Sequence, residues 1–128
     1  MSKDVVRTEA APAPFQGAPY SQAITAHGFV FVSGQLALRP GEKELTGETI
    51  TEQTEQVFAN LGAILEAAGS SLDRLVKTTV FLQSLDDFAE MNEVYARHIG
   101  GQPPARSTVE VAKLPSGALV EIEAVALT

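Results

Sequence analysis

From Thr49 onward the chain carries Ile50, Thr54, Val57, Phe58, Leu61, Ile64, Leu65 and Ala68 at helical spacing. Those gaps keep one face apolar for about five turns of α-helix. Thr49 and Glu52 have the spacing of a capping box, which satisfies free amides at the helix start. Gly69 is suited to end the helix as a left-handed cap. A stripe of that length must be buried against something, and the rest of the chain offers mostly strands.

Phe29-Val30-Phe31-Val32 reads as a buried strand, with Tyr20 to Ala26 as its hairpin partner across His27-Gly28. Val5 to Glu9 reads as an edge strand. Leu75 to Leu82 is rich in β-branched residues and predicts a further strand. Its alternation places Val76, Thr78, Val80 and Leu82 on one face and Leu75, Lys77, Thr79 and Phe81 on the other. Ser84 to Ile99 predicts a second helix with Phe88, Met91, Tyr95 and His98 on one face and Asp86 or Asp87 at its positive end. Arg106 to Ala112 and Leu119 to Leu127 predict two last strands, read as a hairpin. The segment from Leu75 to Ala112 is a strand–helix–strand unit, expected as a right-handed crossover between parallel strands. The fold class is therefore α+β: a two-layer sandwich, with a mixed sheet and two helices on one face. Neither face of the Leu75–Leu82 strand is cleanly polar, so the second sheet face is expected to be covered in an oligomer.

At 128 residues the chain is a single domain, 1–128. Nine basic residues against 16 acidic ones give a formal charge of −7, which disfavours phosphate backbones and anionic lipid. No nucleic-acid and no membrane partner is expected. With no apolar signal segment at the start, the expected location is cytoplasmic. The absence of cysteine removes thiolate nucleophiles, disulfides and cysteine–zinc sites. His27 and His98 fall on separate elements, so no metal site is expected, and His98 reads as a packing or capping residue. Phosphate-binding glycine motifs and a G-x-S-x-G turn are absent. From Glu44 to Asp73 there are six acids and no Lys or Arg, which reads as a solvated helix face.

The remaining chemistry sits at strand ends. Arg106 opens a strand with a planar fork of donors suited to a carboxylate, although a surface arginine at a strand end is the simpler alternative. Ser33-Gly34-Gln35 closes a buried strand, where glycine admits close approach to main-chain donors or simply makes a turn. Tyr20 stands at a loop–strand junction, placed to wall a pocket or to cover the core edge. Glu121 and Glu123 share one face of the last strand, and Glu123 reads as solvent-facing.

These segments, taken together and in order, resemble the RidA (YjgF) family of reactive-intermediate deaminases. The matching text runs from Ala11-Pro12-Ala13-Pro14 through Gly17 to Ala23, Val32 to Gln35, Val76 to Leu82, and Asp87-Phe88 to Asn92. Its most specific part is Pro104 to Pro115 (PARSTVEVAKLP), followed by Val120 to Ala126. The resemblance implies a chorismate-mutase-like fold, a homotrimer with clefts between subunits, and no cofactor. It implies hydrolysis of 2-imino acids such as 2-iminopropanoate and 2-iminobutanoate to 2-keto acids and ammonia. By that analogy Arg106 and Glu121 are the catalytic pair. Arg106 grips the substrate carboxylate and Glu121 orients or activates water. Ser33, Gly34, Tyr20 and Thr108 bind substrate, and Asn92 is structural support. Some relatives carry cysteine where this chain has Thr108, so a thiol nucleophile is excluded here.

Such a site suits the reaction, because an iminium is already a good electrophile and needs chiefly positioning and a base. In the assumed hairpin register, Arg106 and Glu121 would stand on the order of 15 Å apart, which points to a site shared between subunits. Two other function classes stay open: a chaperone-like or metabolite-binding regulatory module, and an endoribonuclease, the latter opposed by the charge, the few aromatics and the lack of a histidine pair.

Overall fold

The computed structural model describes residues 2–128. Six strands form one sheet: β1 (Asp4–Val6), β2 (Ala23–Ala26), β3 (Phe29–Gln35), β4 (Leu75–Leu82), β5 (Ala105–Glu110) and β6 (Val120–Leu127). Two helices accompany it, α1 (Ile50–Ala67) and α2 (Phe88–His98). The sheet is mixed, in the order β1-β2-β3-β6-β4-β5. All pairs are antiparallel except β4 with β5.

Local chemistry accounts for the element ends. Thr49 accepts from the Glu52 amide while the Glu52 carboxylate accepts from the Thr49 amide, closing the expected capping box. Past α1, Gly69 adopts φ +79°, and the Ser70 and Gly69 amides bond the carbonyls of Leu65 and Glu66. The β2–β3 turn places both His27 (φ 53°) and Gly28 (φ 82°) in the left-handed region, the twist that a two-residue hairpin requires.

The core is the stripe of α1 closed onto α2 and onto alternate strand residues. Val57, Leu61, Ile64 and Leu65 of α1 are fully buried against Val30, Val80 and Ile122 of the sheet and Met91 and Val94 of α2. Each such side chain contributes about 1.5–3 kcal/mol relative to exposure. At the helix pair, His98 stacks on Phe58 with ring centres 4.8 Å apart, and its Nε2 lies 3.0 Å from a Glu55 oxygen. His98 is thus a packing residue, as expected. Arg97 donates to the other Glu55 oxygen at 2.8 Å, and these hydrogen bonds hold the Glu55 carboxyl below its ordinary range.

Two expectations are corrected. The last two strands do not form a hairpin. β5 pairs with β4 alone, while β6 lies between β3 and β4. The burial of each strand explains the choice: Val120, Ile122, Ala124 and Ala126 of β6 are all buried and suit a central position. β5 exposes Ala105, Ser107, Val109 and Glu110 and suits an edge. The intervening loop is pinned by Gln83, which donates to the Val111 and Ala112 carbonyls and accepts from the Leu114 amide. The second correction lies at the start of β4. A register shift between Leu75 and Lys77 buries Leu75 and leaves Val76 exposed, reversing the alternation at that end.

Candidate functional site

A cavity of about 670 Å³ opens at one end of the sheet. Its walls are the segment around Pro12, Phe15 and Tyr20, the end of β3 and the loop after it, and Pro115; Glu121 projects from β6. Tyr20, Ser33, Gly34 and Glu121 therefore share one cavity, as the family analogy groups them. Arg106 and Thr108 are not among its lining residues.

Ser33 and Gly34 occupy an irregularity in β3, where the register against β6 shifts between Val32 and Gln35. The bulge turns this stretch out of the ladder and toward the cavity. The Ser33 hydroxyl donates to the Ser21 carbonyl at 2.6 Å, which leaves its lone pairs facing outward for a donor. Gly34 has a steric reason to be glycine. A Cβ built there would stand 2.0 Å from Oε2 of Glu121. The close approach that glycine permits is thus made by the chain's own carboxylate.

That carboxylate is half-buried, and burial raises the Glu121 pKa above its ordinary value of 4.5, with the neighbouring Glu123 adding to the rise. Removal from water disfavours the charged form, and no cation offsets it: the salt bridges among the described residues both involve Glu55. A carboxylate so placed is a stronger base than a solvated one. Glu123, on the same face, is exposed as expected.

Tyr20 is 41% exposed, and its hydroxyl accepts from the Phe15 amide at 2.5 Å. It braces a turn in which Gln16 (φ 55°) and Gly17 (φ 69°) are both left-handed. Ser116 (φ 55°) and Gly117 (φ 70°) form the same kind of turn at the other wall. The sequence signal for this pairing is the repeated Gly-Ala after each turn, Gly17-Ala18 and Gly117-Ala118.

Three supporting residues escape a reading of motifs. Gln22 is buried and clasps the wall segment: its Oε1 accepts from the Thr8 amide at 2.8 Å, and its Nε2 donates to the Thr8 and Pro12 carbonyls at 3.0 and 2.8 Å. Asn60 and Gln53 sit on the buried side of α1. Asn60 donates to the carbonyls of Leu36 and Leu38, both cavity residues, at 3.0 and 2.9 Å. Gln53 donates to the Gly47 carbonyl and accepts from the Leu119 amide. The available signal is positional: Gln53 and Asn60 are polar residues inside an apolar helical stripe, where only a bonded side chain is tolerated.

Arg106 lies elsewhere. It pairs with Thr78, whose buried hydroxyl bonds Tyr95 of α2, so Arg106 projects from the helix-covered face. Glu121 pairs with Phe81, three residues further along β4 and therefore on the opposite face. With β4 between them, the two Cα atoms stand on the order of 14 Å apart. One subunit cannot bring both side chains to one small substrate. The guanidinium rests over the rings of Tyr95 and Phe88, 4.7 and 5.6 Å from their centres. Nearby on the same elements, the buried Oγ1 of Thr108 and Oδ1 of Asn92 have no hydrogen-bond partner among the described residues.

The side of the sheet carrying Glu121 also leaves Val5, Phe29, Phe31, Val109 and Leu127 exposed. No helix among the described residues is long and apolar enough to cross a membrane.

Comparison with known proteins agrees with this arrangement. The family model described as Endoribonuclease L-PSP matches residues 8–128. A RutC family protein of Pyrococcus abyssi is 50% identical over 126 residues, covering 98% of each chain. The 2-iminobutanoate/2-iminopropanoate deaminase of Mus musculus is 42% identical over 125 residues, 98% of this chain and 91% of that one. Among solved structures, RidA from an Antarctic Psychrobacter superposes with a TM-score of 0.92 at 43% identity, covering 98% of this chain and 99% of that one. With a mixed six-stranded sheet, two helices and a match along nearly the whole chain, this protein belongs to the RidA/RutC family.

Proposed function

We propose that the protein hydrolyses 2-imino acids, such as 2-iminopropanoate and 2-iminobutanoate, to 2-keto acids and ammonia. The site is built between subunits of a homotrimer of two-layer sandwiches. The observation that carries this reading is the separation of Arg106 and Glu121 onto opposite faces of the sheet. A carboxylate with no cation and a guanidinium with no anion are complementary halves. A second subunit, with its Arg106 edge seated on the exposed apolar face, would complete the cleft. The name of the mouse relative supports the substrate class.

In this cleft Arg106 of one subunit takes the substrate carboxylate in a bidentate grip. The cavity of the next subunit supplies Tyr20, Ser33, Gly34 and Glu121, and Thr108 approaches with its own Arg106. The imine binds a proton to become an iminium. Glu121 takes a proton from water as the water oxygen bonds to the C2 carbon, giving a carbinolamine. Proton transfer to nitrogen and breakage of the C–N bond release ammonia and leave the keto acid. Only water is consumed, so the residues need supply a base, an anion grip and orientation. The endoribonuclease description of the family model fits this chain less well. Its candidate base is an acid in a chain of charge −7, and neither histidine reaches the cavity.

The test is to generate 2-iminopropanoate in situ with an amino-acid oxidase and follow loss of the imine. Acceleration by the wild-type protein, lost in Arg106→Ala, is expected; no acceleration, or full activity in the variant, ends the deaminase reading. Arg106→Ala and Glu121→Gln chains, unfolded and refolded together at equal ratio, should recover roughly a quarter of the wild-type sites, because each mixed trimer holds one intact interface. No recovery in the mixture would end the shared site.

A further inference from the structure

We infer that helix α2 carries the positioning device for Arg106: Tyr95 and Phe88 form an aromatic platform that holds the guanidinium plane without neutralising it. The inference deepens the deaminase reading, since it concerns how the proposed anion grip is kept ready.

Three observations meet here. The Arg106 guanidinium lies 4.7 Å from the Tyr95 ring centre and 5.6 Å from that of Phe88. It has no carboxylate within ion-pair distance among the described residues, although acids outnumber bases in the chain. The platform is itself fixed. Tyr95 is buried, its hydroxyl bonds the buried hydroxyl of Thr78 at 2.7 Å, and its ring meets Phe58 edge-on at 5.4 Å.

The choice of rings has a physical logic. A long, flexible arginine at an edge strand loses side-chain entropy when it binds an anion, unless something has ordered it beforehand. An acidic partner would order it but would also compete with the substrate carboxylate for the same donors. An aromatic face attracts the cation through its quadrupole and occupies none of the N–H donors in the guanidinium plane. The fork therefore remains free at its edge while its plane is set. Tyr95 and Phe88 touch neither the cavity nor the reacting atoms on this arrangement, so they act through Arg106.

The experiment compares Tyr95→Leu, Tyr95→Phe and Phe88→Leu with the wild type, each checked for folding by circular dichroism. Imine hydrolysis should show KM rising roughly three- to thirty-fold in Tyr95→Leu, the range of a cation–π contact, with kcat within about twofold. Phe88→Leu, at the longer distance, should show a smaller rise. Tyr95→Phe keeps the ring and should restore KM to within about twofold of wild type. A second readout does not depend on the reaction: the Arg106 side-chain Nε and Nη resonances, measured by NMR, report rotation of the guanidinium. Slow rotation in the wild type and fast rotation in Tyr95→Leu support the platform. If Tyr95→Leu does not fold, Phe88→Leu, at a position 40% exposed, carries both measurements. Unchanged KM and unchanged rotation in the folded leucine variants overturn the inference. Failure of the wild type to hydrolyse imine would end the deaminase reading, while the resonances would still decide the platform.

Discussion

The two faces of the sheet solve different problems with similar residues. On the helix-covered face, apolar side chains close onto α1 and α2, and the one cation there, Arg106, is seated on rings. On the opposite face, Phe29, Phe31, Val109 and Leu127 stay exposed, and the one half-buried acid, Glu121, stands without a cation. The first face is finished within a chain. The second is finished only by another molecule. The contrast teaches that a split pair of opposite charges, each half-sequestered, is itself a sign of a shared site.

The largest expected effects come from treating the faces alike. Leu61→Ala on the covered face should cost about 2–5 kcal/mol in denaturant unfolding, since the cavity it leaves has no solvent to fill it. Phe31→Ala on the other face should change subunit stability by only about 0.5 kcal/mol and weaken assembly instead, as read by analytical ultracentrifugation. Equal costs for the two would erase the distinction.

Next in size is Arg106→Ala, which should lower kcat/KM for imine hydrolysis roughly a hundredfold while leaving the melting temperature nearly unchanged, because the charge-assisted grip is lost and no core is. Gly34→Ala should follow, with a loss of about tenfold. The new Cβ would displace the Glu121 carboxylate it overlaps, and a displacement on the order of 1 Å is enough to cost that much. A crystal structure of the variant with Glu121 unmoved would refute that explanation.

The smallest effect distinguishes the faces by sign. Glu121 has a folded pKa raised by burial, so its stabilising contribution is complete below the unfolded value and is lost as pH rises through the folded one. Glu121→Gln should therefore be more stable than wild type at neutral pH, and the two should converge in acid. Glu55, lowered by its bonds to Arg97 and His98, contributes above its unfolded pKa and loses that contribution as pH falls through the folded one. Glu55→Gln should be less stable at neutral pH and again converge in acid. Thermal melts at pH 3.5 and 7 check both.

Much of the fold was legible. The α1 stripe, its capping box and Gly69, the His27-Gly28 turn and the bounds of β4 all rest on interactions within a few residues, so local pattern was sufficient. The order of the last strands was not legible. Adjacency along the chain favoured a β5–β6 hairpin, but the fully buried row of β6 gains more between β3 and β4, and no local signal reports that competition. The cavity group of Tyr20, Ser33, Gly34 and Glu121 was named from family resemblance. The reason for Gly34, the room it leaves for Glu121, appeared only when β3 and β6 were set side by side.

What the chain determines by itself is periodicity, capping and composition: which segments are helical or extended, that no thiol chemistry is available, and that an arginine in an acidic chain is a natural anchor for an anion. What only the tertiary structure decided is which face each charged group occupies. That depends on strand order and register, because neighbours across a sheet share a face and an offset of three residues reverses it. Arg106 and Glu121 were separated by that rule, and the aromatic platform under Arg106 follows from the packing of α2 against the sheet, which no spacing in the sequence encodes.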